Sequence, residues 1–320
     1  MAFEGQIVPT DRLRMHVWTS GPADGRPLLL VHGNITTGGF WKYVAEALPA
    51  DIRVIAPDMR AFGRTEPLAI DATRGVNDFA DDVRSLLEAF ELTGDRAVHA
   101  AGWSMGGAIL QQYLLSHPGD LASVTLVAPV SPYGFGASKG VDGEPCTADC
   151  AGSGGGTAAP DFVRRLAQRD GSTDDPASSP RVVLLSFFGP GRNAANVDEE
   201  FLVAELLTTV VGDDFYPGST AASENWPSVA PGERGVLNTM SPKYFDTSGL
   251  ANVADKPPIT WIHATADQVV QVGLDGPLAI RRRQPPLALP PHGHPVDQPV
   301  RVFLLGHFGG WVRGWQPAKP

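Results

Sequence analysis

Short apolar runs alternate with amphipathic stretches through the first 130 residues. Residues 27–32 (PLLLVH) and 52–57 (IRVIAP) are nearly unbroken apolar runs, the pattern of strands buried on both faces. Between them, residues 40–48 show helical spacing, with Phe40, Val44, Ala47 and Leu48 on one predicted face. Residues 76–92 carry the same signal more strongly, because Phe79, Val83, Leu86, Leu87 and Phe90 fall on a single stripe. Asn77 is the candidate N-cap of that helix, and Asp78, Asp81 and Asp82 suit the positive end of its dipole. Residues 96–102 and 124–128 predict two further strands, flanking a helix over 108–116 that stops before Pro118. Strands separated by helices of this length imply right-handed crossovers and a mostly parallel sheet.

The alternation stops after residue 130. A Gly/Ser/Pro-rich loop (133–160) follows, then short helices near 161–168 and 198–211. The apolar run 258–263 (PITWIH) restores the strand pattern. The chain is therefore expected to hold the first part of an α/β core over 1–130, an inserted cap or lid over 131–255, and the return of the core with an atypical tail over 256–320. No internal repeat is evident.

Composition sharpens this picture. A hydrophobic share of 42% against 19% charged residues supports a sizeable core and argues against disorder throughout. The net charge of -10 is unevenly spread: residues 277–320 carry six basic side chains and one acid, hence +5, which leaves -15 on the rest. That tail also holds 9 of the 29 prolines. An acidic balance argues against a nucleic-acid partner, which would call for a basic stripe. The first nine residues (MAFEGQIVP) lack the basic and apolar regions of a secretory signal, and no apolar run approaches the ~18 residues of a membrane span. The two cysteines, Cys146 and Cys150, read as free thiols of a cytoplasmic protein, and no second Cys/His pair stands at zinc-binding spacing, so no metal is expected.

The chemistry is concentrated in Gly102-Trp103-Ser104-Met105-Gly106-Gly107, which follows a predicted strand and opens a predicted helix. A sharp turn in that setting presents the Ser104 hydroxyl at the edge of the sheet, and small flanking residues relieve the crowding. His32-Gly33-Asn34 sits just past the first buried strand, where loops line the ligand crevice of a parallel sheet. Acyl transfer needs two N–H donors aimed at the forming oxyanion, and those of Asn34 and Met105 are the candidate pair. His32, Gly33, Gly102, Trp103 and Gly106 support the motif.

On these residues the chain resembles the α/β-hydrolase superfamily of serine esterase and lipase type. Asp58-Met59-Arg60-Ala61-Phe62-Gly63-Arg64-Thr65 and Ala264-Thr265-Ala266-Asp267-Gln268-Val269-Val270 extend the resemblance over about residues 3–270. It implies an α/β-hydrolase fold, a mostly parallel doubly wound sheet with an inserted cap. It also implies a small-molecule ester substrate and a catalytic triad that works without a cofactor. In that family Asp58 and Arg60 shape and support the site. The triad acid maps onto Asp267, although Ala264 replaces the glycine usual at its position. The base in that family follows as a Gly-His pair, which leaves three readings: Gly293-His294, with His294 lying 27 residues after Asp267; Gly306-His307 as competitor; or neither of the two. His16, His99, His117 and His263 read as strand or helix-end residues.

Residues 281–295 are interrupted by prolines, so the last strand of the family cannot form there. A shifted reading frame in a GC-rich gene yields such Pro/Arg-rich, acid-poor protein. Translating the nucleotides in the other two frames is then expected to restore a helix, a strand and a Gly-His loop. Cap residues Phe187, Phe188, Phe201, Leu206, Phe215, Tyr216 and Trp226 are candidate lining for an apolar acyl pocket. Lactone hydrolysis, C–C bond hydrolysis and peracid formation use nearly the same residues, whereas epoxide and haloalkane chemistry takes an Asp at the elbow. A non-catalytic ligand-binding member is the reading from a different class. The sequence carries no signature of oligomeric state.

Overall fold

The computed structural model describes residues 2–94, 98–187, 197–264 and 300–305. The apolar runs become the centre of an eight-stranded sheet. Its strands are β1 (Glu4–Pro9), β2 (Arg14–Ser20), β3 (Arg26–Val31), β4 (Ile52–Pro57), β5 (Val98–Trp103), β6 (Leu121–Val127), β7 (Ile259–Ala264) and β8 (Val300–Leu305). Their spatial order is β1-β2-β4-β3-β5-β6-β7-β8. The five inner strands β4, β3, β5, β6 and β7 run parallel. An antiparallel hairpin, β1–β2, extends one edge, and β8 closes the other edge antiparallel to β7.

Pleat parity explains why the inner strands read as unbroken apolar runs. Leu29, Val31 and Ile55 point into one core, whereas Leu30, Val54 and Ala56 point into a second, smaller one on the opposite face. Helices α2 (Asn77–Ala89) and α3 (Met105–Ser116) belong to the larger core, to which they contribute Phe79, Leu86, Ile109 and Tyr113. Helix α1 (Lys42–Ala47) covers the smaller one through Ala45. The β1–β2 hairpin gave no clear signal in the sequence because β1 is an almost fully exposed edge strand.

Two local expectations are corrected. The predicted face of residues 40–48 is wrong: Val44 is 42% exposed and Ala45 is buried. A 3-10 turn over Gly38–Trp41 precedes α1 and changes which residues face inward. Asn77 is not the N-cap of α2; Val76 holds that position, and the Asn77 amide donates back to the Arg74 carbonyl. The aspartates that follow serve side-chain ion pairs more than the helix dipole, since Asp78 and Asp82 are buried against Arg60.

Between β6 and β7 the chain forms an insertion containing α4 (Pro160–Gln168), α5 (Pro180–Phe187) and α6 (Glu199–Leu206). Both ends of the insertion are pinned to α3 by one side chain. The Gln111 amide donates to the Val130 carbonyl at 2.9 Å and accepts from the Thr247 hydroxyl at 2.7 Å. Cys146 and Cys150 are both free thiols. No helix among the described residues is long and apolar enough to cross a membrane.

Candidate active site

Ser104 occupies the junction between β5 and α3 with φ of 54° and ψ of -114°. A non-glycine residue reaches this region only where its surroundings force it, at a cost of ~1–3 kcal/mol. The forcing groups are visible. The Ser104 N–H donates to the Val127 carbonyl at 2.9 Å, and the Ser104 carbonyl accepts from Gly107 and Ala108 at 2.9 and 3.2 Å. The turn closes only because its flanking residues lack side chains: a Cβ on Gly102 would lie 2.4 Å from the Gly106 carbonyl oxygen. A Cβ on Gly106 would lie 2.2 Å from the Val31 carbonyl oxygen. The result is a half-buried serine at the carboxyl end of a central parallel strand, with the first turn of α3 directly behind it.

The adjacent strand supplies the second half of the site. Val31 pairs in register with Gly102, so the loop after β3 rises beside the loop after β5. Gly33 lets the two touch, since a Cβ there would lie 3.1 Å from the Trp103 ring. His32 fixes the loop internally. Its Nε2 accepts the Met59 N–H at 2.9 Å, which leaves the proton on Nδ1, and Nδ1 donates to the Gly33 carbonyl at 2.7 Å. The Thr36 hydroxyl donates to the same carbonyl at 2.8 Å. Complete burial holds the imidazole down at about 4, against the opposing pull of the Gly33 hydrogen bond and the Asp58 charge. His32 is therefore neutral, with both ring nitrogens committed. Among the described residues, neither the Asn34 nor the Met105 N–H donates to another protein group.

The loop after β4 braces this arrangement through two buried charged side chains. Asp58 is fully buried and accepts from the Gly38 N–H at 2.9 Å, the Arg64 N–H at 3.1 Å and the His16 Nδ1 at 2.8 Å. Arg60 forms a two-pronged pair with Asp82 of α2, with both contacts at 2.6 Å, and also donates to the Ala69 carbonyl at 3.1 Å. Both partners are buried, so the pair ties the loop to the helix behind it.

Ser104, Met105, Trp103, Gly102 and Gly106 thus share one turn, and His32, Gly33 and Asn34 stand on the neighbouring strand end. Asp267, His294 and its competitor His307 lie outside the described residues. The four histidines expected in strands or at a helix end lie there. His16 sits in β2 on Asp58, His99 in β5 on Ser123, His117 caps α3, and His263 is buried in β7. The acyl-pocket expectation is corrected at one position: Trp226 is 88% exposed and is not packed into an apolar wall formed by the described residues. Leu206 and Tyr216 are buried in the main core, and Phe201 packs edge-on against Trp18 at 5.7 Å. Phe188 lies outside the described residues. Sequence reasoning missed Thr36 and Thr37. Hydroxyls placed immediately before Gly38-Gly39 were the available signal, because such residues cap and turn the backbone.

The profile of the alpha/beta hydrolase family matches residues 28–304, most of the chain. The chain belongs to this family. Its curated relatives include the hydrolase RutD of Variovorax paradoxus, 38% identical over 114 residues that make up 35% of this chain and 41% of the relative. A pimeloyl-[acyl-carrier protein] methyl ester esterase of Aeromonas hydrophila is 34% identical over 104 residues, covering 32% of this chain and 38% of the relative. The matched stretches span less than half of either relative. In solved structures, the esterase RhEst1 from Rhodococcus sp. ECU1013 superposes with a TM-score of 0.52 at 24% identity, over 85% of this chain and 84% of that one. That likeness is one of fold.

Proposed function

We propose that this hydrolase cleaves carboxylic esters of small or medium apolar substrates through an acyl-enzyme on Ser104. The observation that carries the reading is the conformation of Ser104. It holds φ of 54° on a turn whose flanking glycines have no room for a Cβ, and so presents one hydroxyl at the edge of the sheet. The Ser104 Oγ attacks the ester carbonyl while a histidine takes its proton. The Asn34 and Met105 N–H groups receive the oxyanion, and the histidine returns the proton to the leaving alcohol. Water then attacks the acyl-enzyme by the same route in reverse. Protein groups and water carry every step.

Asp267 is the proposed acid and His294 the proposed base, with the insertion over 131–255 acting as a cap. Position along the sheet supports this assignment. Ala264, three residues before Asp267 in sequence, ends β7 on the sheet edge where Ser104 stands. Val300 pairs with Ala264, and Leu305 pairs with Ile259. Val300, the first residue of β8 and the one that follows the His294 stretch in sequence, therefore lies at the Ser104 edge. Epoxide opening is disfavoured by bond chemistry. A serine would be left as an alkyl ether, which water does not cleave, whereas an acyl ester on Ser104 turns over.

The test is hydrolysis of p-nitrophenyl butyrate, together with stoichiometric labelling by a fluorophosphonate. The wild type should hydrolyse and label, and Ser104→Ala should do neither. A folded wild type inert in both assays would overturn the reading in favour of a ligand-binding member.

A further inference from the structure

Two carboxylates tie the loop after β3 to the loop after β4. The first is Asp58, which accepts from the backbone N–H groups of Gly38 and Arg64. The second comes from the insertion. Glu205 on α6 is 1% exposed, and its Oε2 accepts the Thr37 hydroxyl at 2.6 Å while its Oε1 accepts the Arg64 Nη2 at 2.9 Å. Thr37 also accepts the Gly39 N–H at 3.1 Å, capping the 3-10 turn that follows. A residue 168 positions away in sequence therefore holds the hydroxyl three residues beyond Asn34.

A packing role alone does not account for this side chain. Its neighbours Leu202 and Leu206 show that α6 buries apolar residues at this surface. A buried carboxylate is expensive to desolvate and is retained where both oxygens are bonded, as here. The same segment is fastened to the β4 loop twice more. The Thr208 hydroxyl accepts the Gly63 N–H at 3.0 Å, and the Ala61 carbonyl accepts the Val210 N–H at 2.8 Å. Residues 205–210 are thus fastened to the loops after β3 and β4.

We propose that Glu205 is a positioning residue that holds Thr37, and through the 33–39 loop the Asn34 N–H, in the geometry that receives the oxyanion. This rests on the ester-hydrolase reading above. A preoriented donor strengthens its bond to the substrate in the transition state, so a loosened loop lowers kcat and leaves KM nearly unchanged. The docked insertion is then a fixed component of catalysis.

The experiment uses the full-length protein and the variants Glu205→Ala, Glu205→Gln and Thr37→Val. Thr37→Val is close to isosteric and leaves the Glu205–Arg64 pair intact, which guards against a folding defect. Active sites are counted by fluorophosphonate labelling taken to completion, and amide hydrogen exchange is read over residues 33–39. Glu205→Ala and Thr37→Val should lower kcat per labelled site by about tenfold with KM within roughly twofold, and should speed exchange in that loop. Glu205→Gln, whose amide oxygen still accepts from Thr37, should recover most of kcat. Wild-type kcat per labelled site in folded Thr37→Val overturns the proposal, as does a loss explained entirely by fewer labelled sites. If the wild type itself neither labels nor hydrolyses, the ester reading fails, and exchange alone decides the role of Glu205. Faster exchange at 33–39 in Thr37→Val supports the latch, and unchanged exchange overturns it.

Discussion

The Nε2 of His32 accepts the backbone N–H of Met59 at 2.9 Å, and this one bond dictates the state of the whole loop. A backbone N–H can only donate, so Nε2 carries no proton and Nδ1 is left to donate to Gly33. With the Gly33 carbonyl bonded on one side, the trans peptide directs the Asn34 N–H to the other. Protonating His32 would break the Met59 bond and place a charge in a fully buried site, which is why the imidazole is pushed down to about 4.

This makes a pH prediction with a definite sign. Between pH 6.5 and about 4 the unfolded chain binds a proton at His32 that the folded chain does not. Stability therefore falls as the pH falls through that window, by about 3 kcal/mol from this residue when complete. Urea midpoints at pH 7, 5.5 and 4.5 measure it. His32→Gln should be less stable than wild type at pH 7 yet lose roughly 2 kcal/mol less between pH 7 and 4.5. Equal losses in both proteins would assign the effect elsewhere.

Ser104→Ala should lower ester hydrolysis by about a thousandfold or more while leaving the unfolding midpoint near wild type. The backbone bonds that hold the turn do not involve the Ser104 hydroxyl. Residual activity within tenfold of wild type would mean that another group is the nucleophile.

Gly106→Ala should be severely destabilising, by ~3 kcal/mol or more, because its Cβ would meet the Val31 carbonyl oxygen at 2.2 Å. Backbone atoms of a central strand do not move aside. Gly119→Ala is the matched control, since nothing lies within 4 Å of its Cβ position. Soluble expression and thermal midpoints compare the two; similar behaviour would contradict the close-packing account of the elbow.

His294→Ala should abolish most activity, by about a thousandfold, and His307→Ala should stay within roughly twofold of wild type. The wild-type rate should rise with pH through one ionisation near 6–7, as a histidine base requires. A flat profile between pH 5 and 8, or full activity in His294→Ala, rules out the assignment.

Arg60→Ala should cost ~3–5 kcal/mol, because it leaves the buried Asp82 carboxylate without its two-pronged partner. Arg60→Lys should rescue little, since an ammonium cannot make both contacts at once. Urea unfolding reads both variants; a loss under about 1 kcal/mol for Arg60→Ala would mean that Arg12, which also reaches Asp82 at 2.8 Å, suffices alone.

The sequence by itself determined the inner strands, α2, α3 and the Ser104 turn. Buried parallel strands must be apolar on both faces, and a turn this tight tolerates only glycine at Gly102 and Gly106, so these features leave a local trace. It also placed Asn34 beside Ser104, because strand ends in a parallel sheet converge on one edge. Other features have no local trace. The β1–β2 hairpin is set by pairing with β4, and its outer strand is too exposed to show a pattern. The face of α1 depends on the 3-10 turn before it. Above all, only the tertiary structure decided how the site is braced. His32 bonds to Met59, Arg60 to Asp82 and Thr37 to Glu205 across sequence separations of 27, 22 and 168 residues. Hydrogen bonds between distant side chains follow from where the folded backbone carries them, and no periodicity in the chain records that meeting.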